Sequence, residues 1–594
     1  MDQHQSQGSD ELAQKKRKVD DITNDKDNTN TKTVPRGIHR SISPPPLRRR
    51  RIGSPKPVML EEEESPNRKE VDQKPVELSE QDLMDSKNSV LEHTKRGVVK
   101  SPFQLTTIRD LPASSNVDAV SLRDILGDPL ISECWEFNYL HNLDFLMEQF
   151  DEDVRNLVRV NVIHGFWKRE DQSRLNLAEQ ALKYPNIKLL TAYMPEISME
   201  IPHLPLLGPE KPTPIEPFKI GSGQKFKLDL LNYLRAYDTK RIICKPLVEQ
   251  LLKYDFSEIK AALIGSVPGK QGIEISPSQT AWGWAGLTNA LKSVACYHDA
   301  QPEIAIQISS IASLGPTDKW LTHFLKALNT SKFPRKTNPK FRIIFPTADE
   351  VRRSINGYAS GNAIHTKILT PAQEKQLAYL KPMLCHWAGD GAQHSSPSSS
   401  PSNSPSQSST PSEPKIQEAY RKRAAPHIKT YIRFSSDTSS NSSSQRSIDW
   451  VLVTSANLSK QAWGEPLNSA GEVRICSYEI GVLVWPDLWG KKQSGKKVKM
   501  VPCFGSDTPF MSSVSSHLEI VDEEKMEIKG EEEIGKRRKD DGRKEEDQEE
   551  SNTIIVGARM PYDLPLVPYG KDDIPWCASA SYSEPDWMGN TWKT

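Results

Sequence analysis

The chain has 594 residues with 78 basic and 78 acidic side chains, so its formal net charge is zero and no overall field draws it onto a polyanion or a membrane. Hydrophobic residues make up 36% of the chain, against about 45–50% in typical globular proteins, so a folded core must be confined to part of it. The seven cysteines form no Cys-x-x-Cys pair and no apolar run is long enough to span a bilayer, which argues against a structural zinc site, a disulfide framework and a membrane protein.

Residues 1–99 are rich in charged side chains, Ser, Pro and Asn and poor in aromatic ones, which predicts a disordered N-terminal tail. Within this tail, Lys15-Lys16-Arg17-Lys18-Val19 is a short basic run of the kind that nuclear import receptors bind. The alternative is an ordinary solvated charge run. We therefore expect the protein in the nucleus.

The first ordered elements predict an α/β fold. Apolar residues recur with helical periodicity over Cys134–Phe150. A β-branched strand over Val158–Ile163, a helix over Asp171–Tyr184 and a strand over Ile187–Tyr193 follow. This strand–helix–strand order predicts a parallel sheet covered by helices. The proline-rich residues from Met194 onward are predicted to form a connector.

The later part of the chain is predicted to alternate helices and strands in the same way. These elements are helices over Phe226–Tyr237 and Leu247–Tyr254 and strands over Ala261–Ile264, Ile304–Ile308 and Phe341–Phe345. Two low-complexity insertions interrupt it, a Ser/Pro tract near 389–418 and a block of alternating charge near 519–551. The Pro- and aromatic-rich segment Met560–Trp592 is predicted to wrap the core.

Three His-x-Lys triplets are the first candidates for chemistry, because a histidine beside a fixed ammonium can attack or protonate at a phosphate that the lysine neutralises. About one such triplet is expected by chance. His93-Thr94-Lys95 lies in the predicted tail, where no scaffold would hold it. His365-Thr366-Lys367 follows a Gly-rich turn and lacks an apolar strand or a following Asn, so it is not expected to be functional.

The third triplet, His427-Ile428-Lys429, lies in a strand pattern. Alternation along the strand predicts that His427, Lys429, Tyr431 and Arg433 share one face. The imidazole and the ammonium would then project side by side. The alternative is a surface strand whose His and Lys have no function.

A second and a third strand follow this triplet. Asp449–Thr454 runs into Ser455-Ala456-Asn457, and Ser477–Trp485 is the next strand. A strand pair that presents His and Lys, beside a strand end with small residues and Asn, can surround phosphate oxygens with amide and hydroxyl donors. The sequence therefore predicts a phosphate pocket at this place.

Ten longer segments carry a family resemblance. They are SPFQL at residue 101, FNYLHNLDFLMEQF, VIHGFWKRE, LIGSVPG, QISSIASLG, FPTADEVRRSINGY, HIKTYIRF, VLVTSANLSKQAWG, SYEIGVLV and MPYDLPLVPYG. In this order they resemble the tyrosyl-DNA phosphodiesterase family of the phospholipase D superfamily. Together they cover most of residues 101–594 outside the insertions.

The resemblance implies two pseudo-repeated phospholipase D-like α-β-α sandwich halves, each with one His-x-Lys…Asn set, and no metal or other cofactor. It implies a monomeric DNA-repair phosphodiesterase that hydrolyses 3′-phosphotyrosyl and related adducts at single- or double-stranded DNA 3′ ends, with a topoisomerase-derived peptide as the leaving moiety. One histidine would form a phosphohistidine, and the other would protonate the leaving group and then activate water.

The resemblance also implies roles for individual residues. His427 matches the general acid/base, Lys429 the ligand of the substrate phosphate, and Asn457 the donor to its non-bridging oxygens. Glu479 matches a carboxylate that orients an imidazole. The residues expected to hold the DNA backbone are Ser266, Val267, Pro268, Gly269 and Ser459.

One part of the family pattern is missing from this sequence. The family reads approximately Phe-Gly-Thr-His-His-x-Lys after an AYMPE-like stretch, whereas here Glu196 is followed directly by Ile197. His203 lies among prolines without a Lys two residues on, and His164 ends an upstream strand, so neither is expected to replace the nucleophile. We therefore expect a truncated first half and an inactive chain, whether through splicing, a gene-model error or true loss.

These observations predict a division into the tail 1–99, a truncated first half 100–215 and a second half 216–594. Two other functions stay open. The first is a catalytically dead relative that binds single-stranded DNA. The second is a phospholipase D relative acting on lipids or nonspecifically on nucleic acid, which is disfavoured because Phe434 stands where the usual His-x-Lys-x-x-x-x-Asp pattern has its Asp.

Overall fold

A computed structural model of the chain describes residues 97–594 with gaps. The gaps are residues 139, 167, 193–217, 240, 274–275, 277–278, 297–300, 334–336, 390–415, 436–445, 491–496 and 511–552. Nearly all of the predicted tail, including His93, lies outside the described residues, as do the connector with its Glu196–Ile197 junction and His203. Most of both predicted insertions lies outside them as well.

The described residues contain ten α-helices and fifteen strands. The helices are α1 Leu122–Leu126, α2 Leu143–Glu148, α3 Gln172–Ala181, α4 Gly223–Ala236, α5 Lys245–Leu251, α6 Gly283–Leu291, α7 Lys319–Leu328, α8 Ala348–Arg352, α9 Pro371–Leu380 and α10 Lys460–Trp463. The strands are β1 Val98–Val99, β2 Glu133–Phe137, β3 Arg159–His164, β4 Ile187–Thr191, β5 Ala262–Ser266, β6 Gly269–Gly272, β7 Glu303–Gln307, β8 Lys340–Ile344, β9 Leu384–Cys385, β10 Lys429–Ser435, β11 Ser447–Thr454, β12 Glu472–Ile475, β13 Glu479–Val484, β14 Lys497–Cys503 and β15 Thr553–Arg559. The mixed α/β class predicted from the sequence is confirmed.

The first sheet has three parallel strands in the order β2-β3-β4, and α3 connects β3 to β4. Val160 and Val162 of the central strand are buried and pack in one core cluster with Leu143 and Leu177 from the helices. Burying these apolar side chains is what holds the helices onto the sheet. The predicted strand–helix–strand unit with parallel pairing is therefore confirmed.

The helix predicted over Cys134–Phe150 is wrong in its first part. Residues Glu133–Phe137 form β2, which pairs in parallel with β3, and the helix begins only at Leu143. The side chain of Asn142 caps that helix by accepting a hydrogen bond from the N–H of Phe145 at 3.0 Å. A short aromatic run fits both the 3.6-residue period of a helix and the two-residue period of a strand. Pairing with the distant strand β3 selects the strand here.

The second sheet has ten strands within the described residues. Its order is β1-β15-β14-β11-β10-β7-β8-β9, and β13 joins β11 to β5. Strand β10 is antiparallel to β11 on one side and to β7 on the other. Along β10, Tyr431 packs in one core cluster and Ile432 in the other, which confirms the predicted alternation of faces.

Both ends of the described chain are attached to this sheet. Val98 and Val99 pair with β15, so the last two residues of the predicted tail belong to regular structure. Near the C-terminus, Trp576 is buried and stacks on Tyr358 and Tyr582. The prediction that this segment wraps the core is confirmed.

Two further findings hold for the described ranges. No helix in them is long and apolar enough to cross a membrane, and no group of three or more His, Cys, Asp or Glu side chains is arranged to hold a metal ion. All seven cysteines are free thiols. The domain boundaries at residues 99 and 215 stay a prediction.

Candidate functional site at one edge of the large sheet

The predicted site residues lie where several strands of the large sheet end or begin at the same edge. Lys429 opens β10 and pairs with Thr454, the last residue of β11. Glu479 opens β13 and pairs with Ser266, the last residue of β5. Because these strands alternate in direction, their ends bring loops from distant parts of the sequence together at one edge.

His427 and Lys429 are in direct contact at this edge. The Nζ atom of Lys429 lies 3.2 Å from Nδ1 and 3.4 Å from Nε2 of the His427 ring. Lys429 is buried, with 2% of its surface exposed, whereas His427 is exposed two residues before β10 begins. The exposed imidazole is therefore held directly against the buried ammonium.

Asn457 is held by the segment that follows β7. Its Oδ1 atom accepts hydrogen bonds from the backbone N–H of Ser309 at 3.0 Å and of Ser310 at 2.9 Å, and from the Ser309 hydroxyl at 3.3 Å. Three donors on the oxygen fix the orientation of the amide. Within the described residues the Nδ2 atom has no partner, so both of its N–H groups remain available to a ligand.

Glu479 is buried beside Ser455, the first residue after β11. Its Oε2 atom accepts a hydrogen bond from the hydroxyl of Ser455 at 2.5 Å, and that hydroxyl in turn accepts from the N–H of Ile480 at 3.1 Å. Burial raises the pKa of Tyr431 far above its ordinary value, and the negative charge of Glu479 raises it further. Glu479 thus contacts Ser455. The expected pairing of Glu479 with an imidazole stays a prediction.

The residues expected to hold DNA belong to two segments, residues 266–269 between β5 and β6 and Ser459 at the start of α10. Ser266 is buried at the end of β5, whereas Gly269 is exposed at the start of β6, with a φ of +149° and open space where a Cβ would stand. Val267 and Pro268 between them are half-buried. Ser459 caps α10 by accepting from the N–H of Ala462 at 3.0 Å, which leaves its hydroxyl proton for a ligand.

Tyr431 and Arg433, predicted on the same face as His427, point into the protein. The Tyr431 hydroxyl donates to the carbonyl of Ala456 at 3.1 Å. Arg433 is buried, and its Nε atom lies 3.1 Å from Oδ2 of Asp449. Both side chains therefore support β10 from within rather than line the edge.

His365, set aside on sequence grounds, also lies at this edge. Its backbone N–H donates to the carbonyl of Ser309, and its carbonyl accepts from the N–H of Ile311, both at 2.9 Å. These two bonds form a parallel bridge between His365 and Ser310. Burial lowers the pKa of His365, and the positive charges of His427 and Lys367 lower it further.

Sequence reasoning missed the role of Ser309 and Ser310 as well as the position of His365. The two serines follow the buried strand β7 as small residues, as Ser455 follows β11, and that signal was present in the sequence. The bridge to His365 joins residues 55 positions apart and leaves no local pattern.

His164 lies in the small sheet rather than at this edge. It is buried at the end of β3, where its Nδ1 atom accepts from the N–H of Phe166 at 3.2 Å. Burial lowers its pKa to about 4, and the charges of His141 and Arg174 contribute in the same direction. A buried, neutral ring inside the first half is a structural histidine in this arrangement.

Comparison with known proteins decides the family. The model of the tyrosyl-DNA phosphodiesterase family matches residues 102–203 and 199–570. The chain belongs to this family. Its members are phosphodiesterases of DNA repair and hence hydrolases.

Individual tyrosyl-DNA phosphodiesterases are similar over most of their length. A probable tyrosyl-DNA phosphodiesterase of Schizosaccharomyces pombe is 28% identical over 596 residues, which covers 83% of this chain and 96% of the relative. Tyrosyl-DNA phosphodiesterase 1 of Arabidopsis thaliana is 28% identical over 532 residues, covering 83% of this chain and 76% of the relative. The crystal structure of yeast tyrosyl-DNA phosphodiesterase is 17% identical, with a TM-score of 0.47 over 80% of this chain and 98% of that one.

Proposed function

We propose that His427, Lys429 and Asn457 bind the phosphate of a DNA 3′ end that carries a tyrosyl or related adduct. The observation that carries this proposal is the fixed amide of Asn457. Its oxygen is taken by Ser309 and Ser310, so its N–H groups are the ones left to donate to phosphate oxygens. The ammonium of Lys429 at the same strand end supplies the positive charge that a phosphodiester needs.

In the proposed chemistry His427 acts as general acid and then as general base. Protonated, its ring gives one proton to the tyrosyl oxygen as the bond from that oxygen to phosphorus breaks. Neutral, the same nitrogen takes a proton from the water that releases the DNA 3′ phosphate from a phosphohistidine. Lys429 stabilises the charge on the phosphoryl oxygens in both steps.

The nucleophile of the first step is the part that we propose this chain lacks. One support is the absence of a His-His-x-Lys motif after Glu196. Another is that the family model matches the chain in two segments, which overlap at residues 199–203. Neither described histidine of the first half is suited to replace it. His164 is buried, and His141 lies 3.3 Å from the carbonyl of Ile163 through its Nε2 atom.

The test compares this chain with a version in which a family segment containing the His-His-x-Lys motif is inserted after Glu196. Both are incubated with an oligonucleotide ending in 3′-phosphotyrosine, and released tyrosine is measured. We expect the short chain to bind the oligonucleotide without turnover and the restored chain to release tyrosine. Release of tyrosine by the short chain, abolished by His427→Ala, would contradict the proposal.

A second candidate function is binding of single-stranded DNA by a catalytically dead relative. The exposed turn at Gly269 and the free hydroxyl proton of Ser459 favour a grip on the DNA backbone. This candidate predicts similar affinity for oligonucleotides with and without a 3′ phosphotyrosine. It also predicts that the restored chain stays inactive.

The place of action is part of the same proposal. The basic run Lys15–Val19, which lies outside the described residues, would direct the chain to the nucleus. We propose that the chain acts there as a monomer. A fluorescent fusion should be nuclear, and replacing Lys16 and Arg17 with alanine should leave it in the cytoplasm. A nuclear signal unchanged by this substitution would refute the role of the run.

A further inference from the structure

Strands β6 and β12 form a two-stranded ribbon that continues from the turn expected to hold DNA. Strand β6 begins at Gly269, the last residue of that turn, and pairs antiparallel with β12. The carbonyl of Gln461 in α10 accepts hydrogen bonds from the N–H groups of Cys476 and Ser477, at 3.0 and 3.1 Å. Gln461 lies two residues after Ser459, so these bonds hold the end of the ribbon beside both segments expected to contact the DNA backbone.

Two positive side chains lie directly opposite each other on this β6–β12 ribbon. Lys270 of β6 is the partner of Arg474 of β12. The carbonyl of Arg474 accepts a hydrogen bond from the N–H of Glu465 at 3.0 Å, so it is not turned to β6. Lys270 and Arg474 therefore form the closer kind of antiparallel pair, without hydrogen bonds between the two residues and with Cα atoms about 4.5 Å apart.

Both side chains lie on the outer face of the ribbon. Val473, the neighbour of Arg474 along β12, is buried in the core, so alternation turns Arg474 and its partner Lys270 outward. Both residues are exposed. On the same face, the carboxylate of Glu472 accepts a hydrogen bond from the Nδ2 atom of Asn468 at 3.1 Å. Within the part of the chain that the structure describes, neither Lys270 nor Arg474 forms an ion pair.

This arrangement favours a bound anion. Like charges directly opposite each other on an antiparallel pair are destabilising, so the unoccupied ribbon carries Lys270 and Arg474 at a cost to the fold. An anion between the two side chains would offset their repulsion and accept charge-assisted hydrogen bonds from both. The neighbouring turn is the one expected to hold the DNA backbone, so the phosphates of the same strand are the anions nearest to the pair.

The distance to the candidate site suits this occupant. Lys270 follows Ser266 by four residues, which span at most about 13 Å of extended chain. A DNA strand advances by about 3.4 Å per nucleotide in a duplex, and by more when it is stretched. Phosphates within about four nucleotides of the 3′ end can therefore reach the pair.

We propose that Lys270 and Arg474 bind internucleotide phosphates of the DNA strand close to its 3′ end. This inference rests on the proposed function, because it extends the path of the strand whose 3′ phosphate lies at Lys429. Phosphate contacts carry no sequence information, so the ribbon adds affinity that does not depend on the bases or on the group attached to the 3′ end.

The experiment measures dissociation constants of the full chain for two single-stranded oligonucleotides of about twelve nucleotides, with the same sequence and a 3′-phosphotyrosine or a 3′-hydroxyl end. Thymidine 3′-phosphotyrosine, which has no internucleotide phosphate, is measured by competition. Lys270→Ala and Arg474→Ala should each weaken binding of both oligonucleotides by about three- to tenfold and leave binding of the thymidine compound unchanged. The slope of log affinity against log salt should become shallower by about 0.7 for each charge removed.

Lys270→Glu separates DNA binding from a structural role. It replaces the like-charge pair with an opposite-charge pair, so the unfolding temperature should be unchanged or higher. Both oligonucleotides should bind this variant more weakly than they bind Lys270→Ala. Lys340→Ala is the matched control, because Lys340 is equally exposed but opens β8 at the end of that strand away from the site, and it should leave every constant unchanged.

The inference is wrong if the Lys270 and Arg474 variants bind the oligonucleotides as the unmodified chain does, or if they bind the thymidine compound equally weakly. Lys429→Met distinguishes this failure from that of the proposed function. If Lys429→Met abolishes the preference for the 3′-phosphotyrosyl end while the ribbon variants have no effect, only the ribbon contact is refuted. If Lys429→Met leaves that preference unchanged, the proposed function itself is wrong.

Discussion

The amide oxygen of Asn457 accepts a hydrogen bond from the backbone N–H of Ser310 at 2.9 Å, joining two loops that are 147 residues apart. This bond makes Asn457→Asp a sharp test of the site. An aspartate keeps the oxygen that Ser310 and Ser309 bind, so the fold should be retained. It replaces the two N–H donors with a second oxygen and a negative charge, which repels a phosphate.

We therefore expect Asn457→Asp to weaken binding of a 3′-phosphorylated oligonucleotide by at least about tenfold with an unchanged unfolding temperature. Equilibrium binding and thermal denaturation measure the two quantities. Asn457→Ser serves as the comparison, because it removes the amide without adding charge. Equal affinity of the Asp variant and the unmodified chain would show that the amide does not face the phosphate.

The buried ion pair of Arg433 and Asp449 is expected to be structural. Arg433 also donates to Oδ1 of Asn329 at 3.0 Å, and the hydroxyl of Ser435 donates to Asp449 at 2.6 Å. Replacing Arg433 with Leu leaves the Asp449 carboxylate buried without its cation, which should lower the free energy of unfolding by about 3–5 kcal/mol. Chemical denaturation measures this loss.

Arg446→Leu is the control for that prediction. Arg446 is 35% exposed in its side chain and pairs with Glu303 at 3.3 Å near the surface. Its replacement should cost no more than about 1 kcal/mol. If the Arg433 variant is no less stable than the Arg446 variant, the buried pair does not support β10.

The stability of the first half should depend on pH through His164. Its pKa is about 4 in the folded chain, below its ordinary value of 6.5, because burial disfavours the charged ring. Stability from the neutral ring is therefore fully present above pH 6.5 and is lost as the pH falls toward 4, with a total of about 3 kcal/mol.

His164→Gln removes this titration and keeps an acceptor for the N–H of Phe166. The variant should lose less unfolding free energy than the unmodified chain between pH 7 and pH 4. Urea denaturation at several pH values, with the two proteins compared at each, isolates this contribution. Parallel curves for both proteins would refute it.

The strands that carry the site could be predicted from sequence because they are buried on both faces. Runs such as Ile304–Ile306 and Trp450–Val453 are continuous in apolar residues, a pattern typical of a central strand. The helix predicted from Cys134 onward was wrong for Glu133–Phe137 because the local sequence pattern there does not distinguish a helix from a strand. There only pairing with β3, more than twenty residues later, selects the extended form.

The site itself could be predicted only in part. His427 and Lys429 are neighbours in sequence, so strand alternation was enough to bring them together. The orientation of Asn457 depends on Ser309 and Ser310, and the position of His365 depends on a bridge to Ser310. Such contacts between distant segments follow from the sheet order, which the local pattern does not contain.

The most direct test of the account is the affinity of Lys429→Met for 3′-phosphotyrosyl DNA. Methionine is close in size to the buried Lys429 side chain and removes its charge, and thermal denaturation checks that the variant is folded. The account predicts that the unmodified chain prefers the 3′-phosphotyrosyl end over a 3′-hydroxyl end by about tenfold or more, and that Lys429→Met abolishes this preference. Equal affinity of the folded Lys429→Met variant and the unmodified chain for the phosphotyrosyl end would contradict it.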